Sequence, residues 1–219
     1  ARTDPEAPKH RGISLFMVDM TSPGVTVRPI YNMAGSHEFN EVFFEDVRIP
    51  SKNLVGEEHR GWYTLAVALD FERSGVGYSA NARRILESLT GYVKSASKNG
   101  KPLSENQLVR NRLAARHIET EVSRSMSYKV AWMQSNGMVP NAEASMSKLF
   151  GTELTQRVAD TAMNIIDMKG LLSHESDLSP MEGAIQKMYL NSFSSTIAAG
   201  TSEIQRNIIA DRGLGLPRA

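Results

Sequence analysis

Ile197-Ala198-Ala199-Gly200-Thr201-Ser202-Glu203-Ile204-Gln205-Arg206-Asn207-Ile208-Ile209-Ala210 is the stretch on which the reading of this chain turns. Small residues lead into a turn at Gly200, and Thr201, Ser202 and Glu203 open a helix. A hydroxyl followed by backbone N–H groups at a helix start suits a phosphate or another anion. Ile204, Ile208 and Ile209 are expected to bury one face of that helix. Taken alone, the pattern describes a capped helix packed on a bundle.

Working back from it, the sequence reads as long helices. A fourth helix runs from about Pro180 to Ile197, after a loop holding Gly170, Ser173, His174 and Asp177. A third runs from Asn141, as its cap, to about Met168. The second opens on Ser104-Glu105-Asn106-Gln107, read as a capping box with Ser104 at the cap. It continues to Ser135 with Leu108, Leu113, Ile118, Val122 and Met126 as its apolar positions. Asn136-Gly137 and Pro140 end it. The first helix begins near His59, with Trp62, Leu65, Ala66 and Leu69 and then Ile85, Leu86, Leu89 and Val93 at helical spacing. Gly75 and Gly77 inside it predict close packing or a kink, and Asn99-Gly100-Lys101-Pro102 stops it.

Before His59 the pattern is β. Ile13–Asp19 is a short apolar run, Val25–Ile30 alternates, and Ser22-Pro23-Gly24 is a turn between them. Glu38–Val47 puts Val42 and Phe44 on one face and Glu41, Phe43 and Glu45 on the other, so one side of the strand is expected to be buried. Ile49-Pro50 ends it. Three strands are too few for a stable sheet, so the chain is expected to be a fragment or to have its sheet finished by another polypeptide. The expected class is mainly α: an antiparallel four-helix bundle over residues 56–219, preceded by the remnant of a β-domain over residues 1–55.

With 25 basic and 24 acidic residues the net charge is +1, so no global field favours nucleic acid. Cysteine is absent and the five histidines lack paired ligand spacing, which leaves no expected metal site. No apolar run reaches the length of a membrane span and no leader precedes the β region, so a soluble, reducing, cytoplasmic setting is expected. The 11 methionines are expected to fill helix-bundle cores. Arg110, Arg112 and Arg116 share one helix, as a solvated or intersubunit face or as phosphate ligands.

The tail string, followed by Leu214-Gly215-Leu216-Pro217, resembles the C-terminal signature of the acyl-CoA dehydrogenase family. Arg11-Gly12-Ile13-Ser14-Leu15-Phe16, Glu41-Val42-Phe43-Phe44-Glu45-Asp46-Val47-Arg48-Ile49-Pro50, Asn53-Leu54-Val55-Gly56 and Gly61-Trp62 resemble the later part of its middle β-domain and the exit from it. The resemblance implies FAD-dependent oxidation of an acyl-CoA thioester to its α,β-enoyl product. It also implies an electron-transferring flavoprotein as acceptor and a homo- or hetero-tetramer of homologous subunits. Such chemistry serves fatty acid or steroid side-chain β-oxidation. A carboxylate must remove the α proton in a site dry enough to raise its basicity, while the thioester carbonyl is polarised.

Many members of the family carry that glutamate just before the Gly-Thr of the tail, where this chain has Ala199. Another group places it on the first bundle helix in a Glu-Arg pair, matched here by Leu69-Asp70-Phe71-Glu72-Arg73. By that resemblance Glu72 is the catalytic base and Arg73, beside the substrate, orients it; Asp70 matches no base position. Gly200, Thr201 and Glu203 fall at positions that contact FAD. Two other features are missing. Ala96 stands where relatives carry an arginine that reaches a neighbouring subunit's FAD, and Ile166-Asp167-Met168-Lys169-Gly170 keeps only the last glycine of a glycine loop. Those losses predict a division of labour in which a homologous partner supplies both. Ala199 beside Ala198 leaves room for a wide acyl group. A catalytically silent partner subunit and a flavin oxidase or monooxygenase on the same fold are the alternatives, with a purely helical interaction module as the outsider.

Overall fold

The computed structural model describes the backbone of residues 1–72 and 75–217, and the side chains of all of these except 69–72. The chain forms two compact units, Ala1–Glu72 and Arg73–Ala219.

In the first unit, β2 (Val25–Tyr31) and β3 (His37–Phe44) form an antiparallel hairpin with Val27 opposite Val42 and a register shift at Ile30/Tyr31. Asn32 shapes its turn, where Oδ1 accepts from the backbone N–H groups of Ala34 and Ser36. A two-residue β1 (Leu15–Phe16) pairs with β4 (Leu54–Val55). The expected buried side of the third strand is not found. Every residue of β3 is exposed, Phe43 and Val42 included. A two-stranded ribbon has nothing of its own to lay over either face.

Helix α1 (Gly61–Glu72) starts hard against β1: a Cβ on Gly61 would lie 2.3 Å from the Leu15 nitrogen. Its Trp62 and Leu65 are exposed. The single helix expected from His59 is therefore two, α1 and α2 (Gly77–Ser95), with Gly75 and Val76 outside both.

The second unit is the antiparallel four-helix bundle: α2, α3 (Gln107–Ser135), α4 (Asn141–Ile166) and α5 (Ala184–Ser195), followed by α6 (Ser202–Ile208). Ile85, Leu86, Leu89 and Val93 of α2, Leu113 of α3, Leu154, Val158 and Ile165 of α4 and Ile185 of α5 make one core. A short hairpin, β5 (Ser97–Lys98) with β6 (Lys101–Pro102), links α2 to α3. Asn99 and Gly100 sit at its tip with φ of 53° and 76°, the signs a type I′ turn requires.

Several local expectations are corrected. Asn106, not Ser104, caps α3: its Oδ1 accepts from Leu108 N and Val109 N while Leu103–Glu105 close a 3-10 turn. Asparagine caps as well as serine, and the tighter turn consumes the residues of the box. Asn141 is the first residue of α4 rather than its cap. The fourth helix proper begins at Ala184, after a 3-10 turn over Pro180–Gly183.

On α3 the expected apolar stripe is mostly outside. Leu108, Ile118 and Val122 are exposed, whereas Val109, Leu113, Thr120, Ser123, Ser127 and Val130 face the bundle. That buried row has the helical period, but it is built partly of hydroxyls that bond their own helix, as Thr120 does to the Arg116 carbonyl. Such small residues let α4 come close, and Ser127 Oγ lies 3.2 Å from Ser147 Oγ. The methionines divide: Met163, Met181 and Met188 pack on the core, while Met17, Met20, Met33, Met138, Met146 and Met168 are exposed. No described helix is long and apolar enough to cross a membrane.

Candidate functional site

The end of α5 and the start of α6 are joined by a turn whose backbone only small residues tolerate. Ala199 has φ of 54° and Gly200 of 94°. A side chain on Gly200 would put a Cβ 2.7 Å from Gln205 Nε2. Two buried donors hold this turn. Gln205 is fully buried, and its Nε2 donates to the carbonyls of Ala199 at 3.0 Å and Gly200 at 3.2 Å. Lys148, also fully buried in α4, donates from Nζ to Gly200 O at 2.7 Å and Ser195 O at 3.3 Å.

Beyond the turn the backbone is extended at Thr201, whose Oγ1 accepts from Ile204 N at 3.3 Å and caps α6. Glu203 is held below the ordinary carboxylate range by its own backbone N–H and then by the Thr201 side chain. Ser202 is buried, and its Oγ has no partner among the described atoms. The expected burial of Ile204 is corrected: it is 47% exposed, and Ile208 and Ile209 are half-buried. The inward face of α6 is Ser202 and Gln205 instead, because Gln205 is needed beneath the turn.

These residues open on a cleft of about 510 Å³ lined by Gln156, Arg157, Thr196, Thr201, Ser202 and Glu203, with Glu153 and Arg206 at its wall. Arg206 pairs with Glu153 at 2.6 Å, and Arg157 pairs with Glu119 at 3.1 Å, which also takes Arg116 at 2.9 Å. Arg116 of the sequence-predicted arginine row is thus committed to an ion network between α3 and α4. The cleft offers hydroxyls, two ion-paired guanidinium groups and the carboxylates of Glu153 and Glu203, together with a buried Ser202 hydroxyl that has no partner among the described residues. That donor set fits the phosphates and hydroxyls of a dinucleotide.

Gly200, Thr201 and Glu203, the three expected cofactor contacts, are brought together here. Glu72 is the last residue of α1 and its side chain lies outside the described residues, as does Arg73. Ala96 ends α2 in extended conformation, its carbonyl accepting from Leu103 N. Asp167 follows α4 with φ of 63° and ψ of −148°, a region that glycine alone occupies freely. Its Oδ2 accepts from Lys98 Nζ at 2.5 Å. An alanine and a carboxylate at this end do not fit a phosphate, since neither can donate to it.

Sequence reasoning put Ser202 at the helix start without its burial, and missed Lys148 and Gln205. Lys148 had a signal: it stands at helical spacing with Ala144, Ser145, Gly151 and Thr152, all buried, which is an inward address for a charged residue.

The family profile described as the acyl-CoA dehydrogenase C-terminal domain matches residues 59–214. Acyl-CoA dehydrogenase IpdE1 of Mycobacterium tuberculosis is 33% identical over 220 residues, which cover 100% of this chain and 54% of the relative. The crystal structure of the ChsE4-ChsE5 complex from Mycobacterium tuberculosis matches with a TM-score of 0.89 and 33% identity, over 100% of this chain and 56% of that one. The Tcur3481-Tcur3483 steroid ACAD matches with a TM-score of 0.90 and 30% identity, over 100% and 56%. The chain spans about half the length of the curated relatives IpdE1 from two mycobacteria.

Proposed function

The chain belongs to the acyl-CoA dehydrogenase family, and on that premise we propose that it is part of an enzyme that desaturates an acyl-CoA thioester between its α and β carbons. Glu72 takes the α proton onto its carboxylate, and the electron pair of that C–H bond forms the new double bond as a hydride leaves the β carbon. Bound FAD would supply the two-electron acceptor for that hydride. Arg73, next to Glu72, keeps the carboxylate oriented and close to the substrate. The carboxylate needs a dry site to be basic enough to take a carbon-bound proton.

Thr201, Gly200 and Glu203 would hold the cofactor. The Thr201 hydroxyl lies at the cleft, Gly200 allows close backbone approach, and Glu203, already ionised, is suited to accept from ribose hydroxyls rather than to meet phosphate. The observation that carries the reading is the match of the family profile over residues 59–214 combined with the intact Gly200–Glu203 turn. Electrons would then pass to an electron-transferring flavoprotein in the cytoplasm.

A mixed assembly is the form we favour, in which a homologous partner supplies the arginine and glycine loop that Ala96 and Asp167 replace. The Lys98–Asp167 pair favours it, because the two charges there satisfy each other and neither is held out towards a neighbouring subunit's phosphate. The test is the visible spectrum of the purified protein, alone and with a homologous partner, before and after anaerobic addition of saturated acyl-CoAs. Bleaching of bound flavin is expected. Flavin that never bleaches would move the reading to oxidase chemistry, and a full flavin complement in the protein alone would end the mixed assembly.

A further inference from the structure

Lys148 is the one fully buried lysine or arginine among the described residues. Placing an ammonium in a protein interior is costly unless its hydrogens find strong acceptors. Here they meet the carbonyls of Ser195 and Gly200, one at the last turn of α5 and one at the turn before α6. Gln205 reaches the same Gly200 oxygen from α6. Donors from two elements, α4 and α6, therefore converge on one peptide group, the one that joins Gly200 to Thr201, and the same ammonium ties it to the end of α5.

That peptide sits in a backbone needing support. Ala199 holds a left-handed φ that an alanine adopts only at a cost, and Gly200 has no side chain to fix it. A charged donor on the Gly200 oxygen locks the peptide plane, and hence where Thr201 begins. The same contact polarises the peptide, so its N–H becomes a stronger donor. The adjoining Ser202 hydroxyl is buried at the cleft without a partner among the described residues. This is what a site built to meet a polar ligand looks like before the ligand is considered.

We propose that Lys148 is a positioning residue: through the Gly200 carbonyl it fixes the Ala199–Thr201 turn and so sets the Thr201 hydroxyl for the bound dinucleotide. The inference rests on the functional reading above, in which Thr201 contacts FAD.

The test is a double-mutant cycle on the purified holoprotein, with its partner if one is required, between Lys148→Met and Thr201→Ala. FAD affinity is read by flavin fluorescence titration of the apoprotein. K148M is expected to weaken FAD about tenfold, and T201A about as much in the parent. In the K148M background T201A should then change affinity less than twofold, because a misplaced hydroxyl has nothing left to lose. A merely structural lysine would weaken FAD without erasing the effect of Thr201→Ala, and that result overturns the proposal. Unchanged FAD affinity in K148M also overturns it. If K148M does not fold, Lys148→Gln keeps an N–H donor with shorter reach and carries the same cycle with the same expectation. If neither variant folds, Lys148 holds the bundle rather than the turn, and the proposal falls. Parent protein that binds no FAD in any combination defeats the functional reading itself, a result separate from all of these.

Discussion

Lys98 Nζ stands 2.5 Å from Asp167 Oδ2, so an ion pair ties the tip of the β5–β6 hairpin to the end of α4 across 69 residues of sequence. Both side chains are more than half exposed. The pair occupies the region where the family resemblance calls for an arginine and a run of glycines. The chain has put a self-satisfied charge pair in place of groups that would reach outward.

The first consequence concerns pH. The Lys98 ammonium, by its hydrogen bond and then its charge, holds the Asp167 carboxyl below the ordinary value of 3.8. A carboxyl with a lowered folded-state pKa stabilises above its unfolded value and loses that contribution as pH falls through the lowered one. Carboxyl-carbon NMR should show Asp167 titrating below 3.8 in the parent and returning towards it in Lys98→Met. Molar salt should narrow the difference, since the pair is exposed.

Asp167 also carries a backbone cost. Its φ and ψ fall where glycine is at ease and aspartate is not. Asp167→Gly should therefore raise the thermal midpoint by about 2–4 °C despite losing the ion pair. Asp167→Ala, which loses the pair and keeps the strain, should lower it. Differential scanning calorimetry of both variants distinguishes the two effects.

Gly200→Ala meets both objections at once, a φ of 94° and a Cβ 2.7 Å from Gln205 Nε2. It should destabilise by about 1–3 kcal/mol in urea unfolding. Because Gln205 must move off two carbonyls, FAD affinity should fall in the same variant.

Gly151→Ala tests the helix packing alone. Its Cβ would lie 2.8 Å from the Tyr78 Cβ, an atom close to the α2 backbone that cannot swing aside. Overpacking of about 1–3 kcal/mol is expected. Urea unfolding reads that loss directly.

Much of this was legible in the sequence. The Ile85–Val93 core spacing, the Asn99-Gly100 turn and the Gly200–Glu203 cap follow from local rules that tertiary structure left intact. What was not legible has one physical cause: periodicity counts apolar side chains, and this bundle packs partly with small polar ones. Ser123 and Ser127 are inside and Ile118 and Val122 outside, so the apolar count on α3 points to the wrong face. The same habit hid Lys148 and Gln205, which donate to the Gly200 and Ala199 carbonyls. Glu72 and Arg73 were reached through resemblance, and their side chains lie outside the described residues.

Glu72 is the proposed acceptor of the α proton. The most direct test is anaerobic stopped-flow reduction of the flavin by saturated acyl-CoAs of graded width, comparing the parent with Glu72→Gln. Removing a general base typically costs about 10²- to 10⁴-fold, so flavin bleaching should slow by at least that lower factor while FAD stays bound. Bleaching of Glu72→Gln at the parent rate, with the same acyl-CoA and full flavin occupancy, would contradict the assignment.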